Sequence, residues 1–290
     1  MRRRTVLLPG MLALLLWGAT ACGSLSGETT AAAIMSAPPA PQAAVTYTVE
    51  TSEVKDSAAV ENGTVLASCQ YEVPELHAFR ADGTEITEAK NESEKQAAEA
   101  VSSFSERFSE WAKGTDFAEI SGWAKEDYAA RNGEGEWYPY DSQLAVTAWQ
   151  TEHMVSVTGA YSNYTGGAHP YTAMLAWNFN LDTGAFIQPE TLAKDEDQFR
   201  AAVTEEIIRQ ANLADDNGAV RADGYWEDYQ KTAADWPTYA VSFDDSGMTV
   251  VFSQYELASY AAGIQSFTLS YDFLSPYLSE RGLALLGLET

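Results

Sequence analysis

One strand and the turn that ends it can be read directly from Tyr171-Thr172-Ala173-Met174-Leu175-Ala176-Trp177-Asn178-Phe179-Asn180-Leu181-Asp182-Thr183-Gly184. Every second position from Tyr171 to Leu181 is apolar, and Met174, Ala176 and polar residues lie between them. An alternation of period two is typical of a β-strand with one buried face, so we expect Trp177 and Phe179 to be buried. Asp182-Thr183-Gly184 predicts the turn of a hairpin.

Further strands are indicated on both sides of this hairpin. A second hairpin is predicted from Tyr239–Phe243 and Met248–Phe252, joined across Asp244-Asp245-Ser246-Gly247. Alternating or apolar runs predict strands at residues 45–54, 63–73, 143–151, 153–162 and 265–272.

Helical spacing occurs in three stretches that each begin with a capping pattern, namely Ser93 with Gln96, Asp116 with Glu119, and Asp195 with Gln198. In the first stretch Phe104, Phe108 and Trp111 follow Val101 at intervals of three and four, which places all four on one helix face. The predicted helix ends at Gly114. Strands, two helices, strands, a helix and strands again predict an α+β fold. We expect antiparallel sheets with packed amphipathic helices in two small subdomains that divide near residue 160.

The N-terminus has the pattern of an export signal. Arg2, Arg3 and Arg4 precede an apolar run from Val6 to Trp17, which is shorter than the roughly 20 residues of a membrane span. Ala19-Thr20-Ala21-Cys22 resembles the bacterial lipobox, which implies lipid attachment at Cys22. Residues 1–21 are therefore predicted to be a lipoprotein signal peptide. Residues 22–44, rich in Ser, Thr, Ala and Pro, are predicted to be a disordered tether. We expect an extracytoplasmic protein held on the bacterial membrane by its lipid anchor alone.

The 290-residue chain is strongly acidic, with 42 acidic and 17 basic residues and a net charge of -25. Removing the three arginines of the signal changes the charge to -28. Such a charge opposes binding to nucleic acid and favours encounters with cationic partners, although it also serves general solubility. Cys69 alternates in phase with apolar neighbours, so we expect a buried thiol that forms no internal disulfide.

No catalytic or cofactor motif stands out. The three histidines, His77, His153 and His169, lack the paired spacing of a zinc site. The sequence also lacks the Gly-x-Ser-x-Gly elbow of a serine hydrolase. We therefore expect no metal, no cofactor and no enzymatic activity.

A family resemblance covers residues 160–280. Tyr161–Leu192 and the closing run Val250–Gly263, followed by Phe267–Tyr271, are similar to the C-terminal extracellular domain of RsiV-type anti-sigma factors. Residues 45–159 are similar in layout to the N-terminal domain that precedes it in that family and in PdaC-type peptidoglycan deacetylases. Residues 281–290 are left as a C-terminal tail. The chain departs from the family at Pro170, where Gly is usual, and at Gln188–Leu192, where an acidic segment is usual.

The resemblance implies a surface-anchored, non-catalytic binding module, because RsiV-type proteins include a lysozyme sensor. Only five residues precede the apolar run, so we expect neither a sigma-binding segment nor anti-sigma activity, and we also expect no deacetylase domain. The expected ligand is a cationic protein such as lysozyme, or a cell-wall glycan. Two alternatives stay open: an enzyme acting on peptidoglycan or another polysaccharide, and a structural lipoprotein of the cell envelope.

The candidate binding residues surround an unusual loop, Gly166-Gly167-Ala168-His169-Pro170. Aromatic residues are frequent in interface hot spots, so the candidates are Tyr161, Tyr164, His169, Tyr171, Tyr255 and Tyr260. A purely structural interpretation is also open: the glycines would shape a bulge capped by His169, and the tyrosines would belong to the core.

Overall fold

The computed structural model describes residues 45–132, 134–236 and 239–288, all of which belong to one compact unit. The predicted signal peptide, the tether and Cys22 lie outside these residues. Within the described part of the chain, no helix is long and apolar enough to cross a membrane.

A six-stranded sheet forms the centre of the fold, and its strands follow each other in chain order. They are β1 (Val45–Ala59), β2 (Val65–Arg80), β3 (Tyr140–Gln150), β4 (Met154–Tyr164), β5 (Tyr171–Asn180) and β6 (Ala185–Ile187). β2 continues through Pro74, beyond the predicted end at residue 73. Pro74 has no N–H to donate, but no hydrogen bond to β3 is lost there because β2 pairs with β3 only from Ala67 to Tyr71.

The sheet departs from the expected antiparallel arrangement at one pair. β2 and β3 run parallel, with Ala67 beside Tyr140 and Tyr71 beside Leu144. A parallel pair needs a long crossover connection, and three helices supply it: α1 (Glu92–Arg107), α2 (Ser109–Ala112) and α3 (Thr115–Ala130). Mixed strand directions with packed helices confirm the α+β class.

The crossover helices differ from the predicted ones in three details. Asp116 does not cap α3, which begins after Gly114 without a side-chain cap, because the Asp116 carboxylate accepts hydrogen bonds from Tyr71 and Tyr161 instead. The N-cap of α1 is Asn91, whose side chain accepts a hydrogen bond from the Glu94 N–H, rather than Ser93. The helix predicted to reach Gly114 is interrupted at Phe108, where the backbone leaves the helical region (φ -103°, ψ 6°). No Gly or Pro marks this break, so side-chain spacing alone predicts a continuous helix.

The first core lies between these helices and one face of the sheet. Phe104 and Phe108 are fully buried, and the Phe104 ring lies 5.3 Å from that of Phe179. Phe179 is buried as predicted. Trp177 is only half-buried, contrary to the prediction, because it lies at the rim of the helical layer against Phe108 and Trp111.

The second core lies against a smaller antiparallel sheet of β7 (Ala240–Asp244), β8 (Gly247–Phe252) and β9 (Gln265–Ser270). Its main helix is α4 (Glu196–Ala211), where Asp195 caps the Gln198 N–H as predicted. Phe199, Val203 and Ile207 of α4 pack into this core. Three short helices complete the fold: α5 (Tyr229–Ala234), α6 (Tyr271–Leu274) and α7 (Glu280–Leu285).

β4 and β5 form a wall shared by both cores. In β4, Met154 belongs to the second core, whereas Val155 and Val157 belong to the first. Residue 160, near which the boundary between subdomains is predicted, lies inside β4. The chain passes from the large sheet to the smaller one only after Ile187.

Side chains join the two sheets across this wall. The Ser156 hydroxyl accepts the N–H of Phe243 (2.8 Å) and donates to Asn178 Oδ1 (2.8 Å). Asn178 Nδ2 donates in turn to the Val241 carbonyl (2.8 Å). Both polar side chains are buried, so the edge of β7 is satisfied by side chains of the large sheet.

Candidate functional site

Four of the six predicted binding residues come together on one surface of the molecule. His169 lies in the connection between β4 and β5, and Tyr171 opens β5. Tyr255 and Tyr260 lie in residues 253–264, the connection between β8 and β9. Together with Trp226 they form a surface that we call the aromatic patch: His169, Tyr171, Trp226, Tyr255 and Tyr260.

Backbone pairing brings the two connections together. β6 pairs with β5 only at residues 178–180, so residues 171–177 of β5 have no strand partner on this outer edge. Residues 253 and 254 cover the start of this edge: Thr172 N–H donates to Gln254 Oε1 (2.9 Å), and Met174 N–H donates to Ser253 Oγ (3.0 Å). The Gln254 N–H also donates to the Thr172 carbonyl (3.3 Å). Residues on either side of this junction, Tyr171 and Tyr255, are thereby held close together.

His169 is the centre of the patch. Its ring stacks on Tyr260 with centroids 3.7 Å apart and planes 22° from parallel. Its Nε2 lies 2.9 Å from the Tyr255 hydroxyl, and its Nδ1 lies 2.9 Å from the Pro170 carbonyl oxygen. In the neutral ring, Nδ1 donates to Pro170 and Nε2 accepts from Tyr255. Both ring nitrogens are therefore used to fix the ring, and one of the two tyrosines is bonded directly to it.

Tyr255 adopts a backbone conformation that is unusual for its size. Its φ is 71°, in the left-handed region that bulky residues rarely occupy. Local strain of this kind costs about 1–3 kcal/mol and is often found at functional sites. The Tyr255 side chain stays 45% exposed, so burial of its ring does not explain this backbone conformation.

Trp226 extends the patch and was missed by the sequence analysis. Its ring is 43% exposed, and its Nε1 donates to the Tyr255 carbonyl (3.1 Å). Backbone pairing holds it there, because Trp226 N–H donates to the Leu257 carbonyl (2.8 Å). Exposed Glu227 and Asp228 follow it directly. A tryptophan beside two acidic residues was the signal that could have pointed to this position.

Glu256 places a partly buried carboxyl close enough to Tyr171 of the patch to affect its pKa. Burial raises the pKa of Glu256, and a hydrogen bond from the Ser253 N–H (2.6 Å) opposes this rise. The pKa of Tyr171 is raised by burial and, to a smaller extent, by the negative charge of Glu256. The patch therefore combines exposed rings with carboxyl groups near them.

The other two candidates lie elsewhere. Tyr161 packs against the first core, and its hydroxyl donates to Asp116 (3.0 Å). The Asp116 carboxylate also accepts a hydrogen bond from buried Tyr71 (2.7 Å). Burial and the Asp116 charge raise the pKa of Tyr161 to about 12. This arrangement anchors the start of α3 to the sheet and is structural. Tyr164 is half-buried at the end of β4, where it pairs with Asp141.

The patch is a surface rather than a cavity. None of its residues lines either of two shallow grooves, of about 590 and 400 Å³, found beside α4 and beside β1. Across residues 45–132, 134–236 and 239–288, no three His, Cys, Asp or Glu side chains are grouped to hold a metal ion. The three histidines lie apart, each with its own nearest partner: Glu85 for His77, Asp182 for His153 and Tyr255 for His169.

The fold and this surface describe an α+β protein that presents exposed aromatic rings among acidic groups. Residues 186–272 match the model of the family described as "Protein of unknown function (DUF3298)". This range includes Trp226, Tyr255 and Tyr260, whereas His169 and Tyr171 precede it. The match lies within the predicted C-terminal domain, and the RsiV-type and PdaC-type assignments stay predictions.

Two solved structures are similar to the chain. One is a DUF3298 family member from Bacteroides fragilis, with a TM-score of 0.58 and 13% identity over 82% of this chain and 96% of the other. The second is a DUF3298 family protein from Pseudomonas aeruginosa, with a TM-score of 0.45 and 15% identity over 81% of this chain and 95% of the other. No curated protein matches the chain. The first of these likenesses supports the fold alone.

Proposed function

We propose that the protein is a non-catalytic binding lipoprotein of the bacterial cell envelope, whose aromatic patch receives a cationic protein such as lysozyme. The observation that carries the proposal is the stack of His169 on Tyr260 with Tyr255 bonded to it, on an exposed surface. Side chains fixed in this way lose little further entropy when a partner binds them.

Three properties of the patch support a protein ligand. Tyrosine and tryptophan are the residue types that contribute most to protein interfaces, and four of the five patch residues are of these types. Exposed carboxylates at Glu227 and Asp228 complement a basic partner. The net charge of -25 would raise the rate of encounter with such a partner.

The location of the protein is part of the same proposal. We infer that Cys22 carries the lipid and that residues 22–44 separate the folded part from the membrane surface. A patch on a tethered module can then reach ligands outside the cell. The same acidic charge repels anionic headgroups, so membrane association would depend on the lipid anchor.

A cell-wall glycan is the second candidate ligand. The observation in its favour is the set of exposed rings, because Trp226, Tyr255 and Tyr260 offer apolar faces against which sugar rings can pack. A glycan would not require the acidic surroundings, so its binding would depend little on salt. This difference separates the two ligands experimentally.

The test is a binding series with the full-length protein against hen-type lysozyme and against an uncharged wall glycan. Tyr255→Ala and Tyr260→Ala are compared with Leu213→Ala, which truncates a similarly exposed apolar side chain outside the patch. We expect saturable lysozyme binding, weakened about tenfold or more by the patch variants and unchanged by the control. The association rate should fall about tenfold as added salt shortens the Debye length, while the dissociation rate changes little.

The remaining outcomes distinguish the alternatives. Glycan binding without a lysozyme signal would favour a wall-binding module. Release of soluble fragments from the glycan would favour an enzyme acting on polysaccharide. Absence of binding to both ligands would contradict the proposal and favour a structural envelope lipoprotein.

A further inference from the structure

The outer edge of β1 has no strand partner among the described residues. We propose that two copies of the chain associate through this edge, with β1 of one copy antiparallel to β1 of the other and the two-fold axis at Val54. In the described part of the chain β1 pairs with β2 alone, along 15 residues. A free edge of this length is well above the typical strand length of about 5–6 residues, and it is a template for another strand.

Three observations identify which backbone groups face the free edge. Thr51 lies opposite Pro74, which has no N–H, so this pair is one whose backbone groups point away from each other. The Tyr47 carbonyl accepts a hydrogen bond from the Gln150 side chain (2.7 Å) rather than serving only the ladder with β2. The Ser57 N–H donates to the Asp56 side chain (2.7 Å). All three place the odd-numbered residues of β1 at the free edge.

The same observations limit the length of edge that a partner can use. Gln150 covers the Tyr47 carbonyl, so the usable part begins at Val49 and ends with the strand at Ala59. A two-fold axis at Val54 pairs these ends with each other, Val49 with Ala59 of the second copy. The axis at Val54 therefore uses the whole uncovered edge and nothing beyond it.

The charges on β1 also favour this register. With the axis at Val54, Glu53 lies opposite Lys55 of the second copy, and the pairing occurs twice by symmetry. Side chains of directly opposed residues lie on the same face, and opposite charges there stabilise the pair. An axis one residue away would set Glu53 against Glu53, or Lys55 against Lys55. Within one copy Glu53 and Lys55 form an ion pair with each other (2.8 Å), and Gln70 also donates to Glu53 (2.7 Å). Both charged side chains are about half exposed, so in the dimer each can exchange this contact for the opposite charge across the axis.

A second copy is preferred to an unrelated strand because the edge is complementary to itself. Asp56, the remaining acid near the axis, lies opposite the small hydroxyl residue Ser52 in this register. In a single copy the Asp56 carboxylate occupies the Ser57 N–H, and a carbonyl of the second strand can replace it there. Pairing would make one continuous sheet of twelve strands from two six-stranded sheets.

Sedimentation velocity on the full-length protein in a mild detergent tests this proposal. We expect a dimer whose dissociation constant rises about tenfold in Lys55→Glu, because both cross-axis pairs become repulsive. The double variant Glu53→Lys with Lys55→Glu restores opposite charges and should recover the dimer. Lys231→Glu, at an exposed lysine of α5, makes the same change in net charge and should have no effect.

A backbone variant provides the second arm. Thr51→Pro removes an N–H at the free edge, whereas its partner in β2 does not use that group, so the monomer should fold with an unchanged thermal midpoint and fail to dimerise. A monomer at every concentration up to the millimolar range would overturn the proposal. So would a dimer that persists in Thr51→Pro, or a double charge variant that stays as dissociated as Lys55→Glu.

Discussion

Ser156 allows a quantitative test of how the two sheets are joined. Its hydroxyl accepts the buried N–H of Phe243 and donates to the buried side chain of Asn178. Ser156→Ala removes one oxygen atom and leaves two buried polar groups without their partner. Since each of the two unsatisfied buried groups costs about 1–3 kcal/mol, we expect the free energy of unfolding to fall by about 2–6 kcal/mol.

Urea denaturation followed by fluorescence measures this loss. The unfolding midpoint should move to lower urea while the slope with urea stays the same, because the surface exposed on unfolding is unchanged. Ser266→Ala, at an exposed serine of β9, is the matched control and should change stability by less than about 0.5 kcal/mol. A similarly small loss in Ser156→Ala would refute the argument that these side chains satisfy the edge of β7.

Four further results are expected. Phe179→Ala should lower the free energy of unfolding by about 3–5 kcal/mol and Trp177→Ala by less, since only Phe179 is fully buried; equal losses in denaturation would contradict this. Burial raises the pKa of Glu256 above its ordinary 4.5, so the folded state is stabilised while Glu256 is protonated and loses this stability as pH rises from 4.5. Unfolding curves at pH 4 and 7 should show this loss in the original protein, and Glu256→Gln should not show it. Hydrogen bonds from Arg80 and the Lys90 N–H lower the pKa of Glu94, so its stabilising effect should be complete at neutral pH and disappear as pH falls below 4.5; an identical acid profile in Glu94→Gln would count against it. Cys22→Ser should release the protein from membranes, and persistent membrane fractionation of that variant would argue against lipid attachment there.

The parts of the fold that were predictable are those set by local sequence. The alternation of apolar residues in Tyr171–Leu181 predicted β5, and Asp195 as N-cap predicted the start of α4. The parallel pairing of β2 with β3 was not predictable, because partner choice depends on how three helices pack. The break at Phe108 was not predictable either, because it depends on tertiary packing: the Phe108 ring occupies a core position against Trp177.

The site was predicted in composition but not in arrangement. His169 and Tyr255 are 86 residues apart, and only the docking of residues 253 and 254 on β5 brings them into contact. Tyr161 has the same residue type and is close in sequence, yet alternation along β4 turns it toward Asp116. Residue type therefore suggested the candidates, while the direction of each side chain was fixed by tertiary packing.

The origin of the patch residues has a mechanical consequence. His169 and Tyr171 are carried by the large sheet, whereas Trp226, Tyr255 and Tyr260 are carried by the segments around the small one. A ligand that contacts both groups would stabilise the folded state, because the two sheets could not separate without breaking its contacts. A free ligand concentration of about 100 times the dissociation constant would raise the free energy of unfolding by about 2.7 kcal/mol. An unknown ligand could thus be recognised by the rise in melting temperature that it causes, before its structure or its chemistry is known.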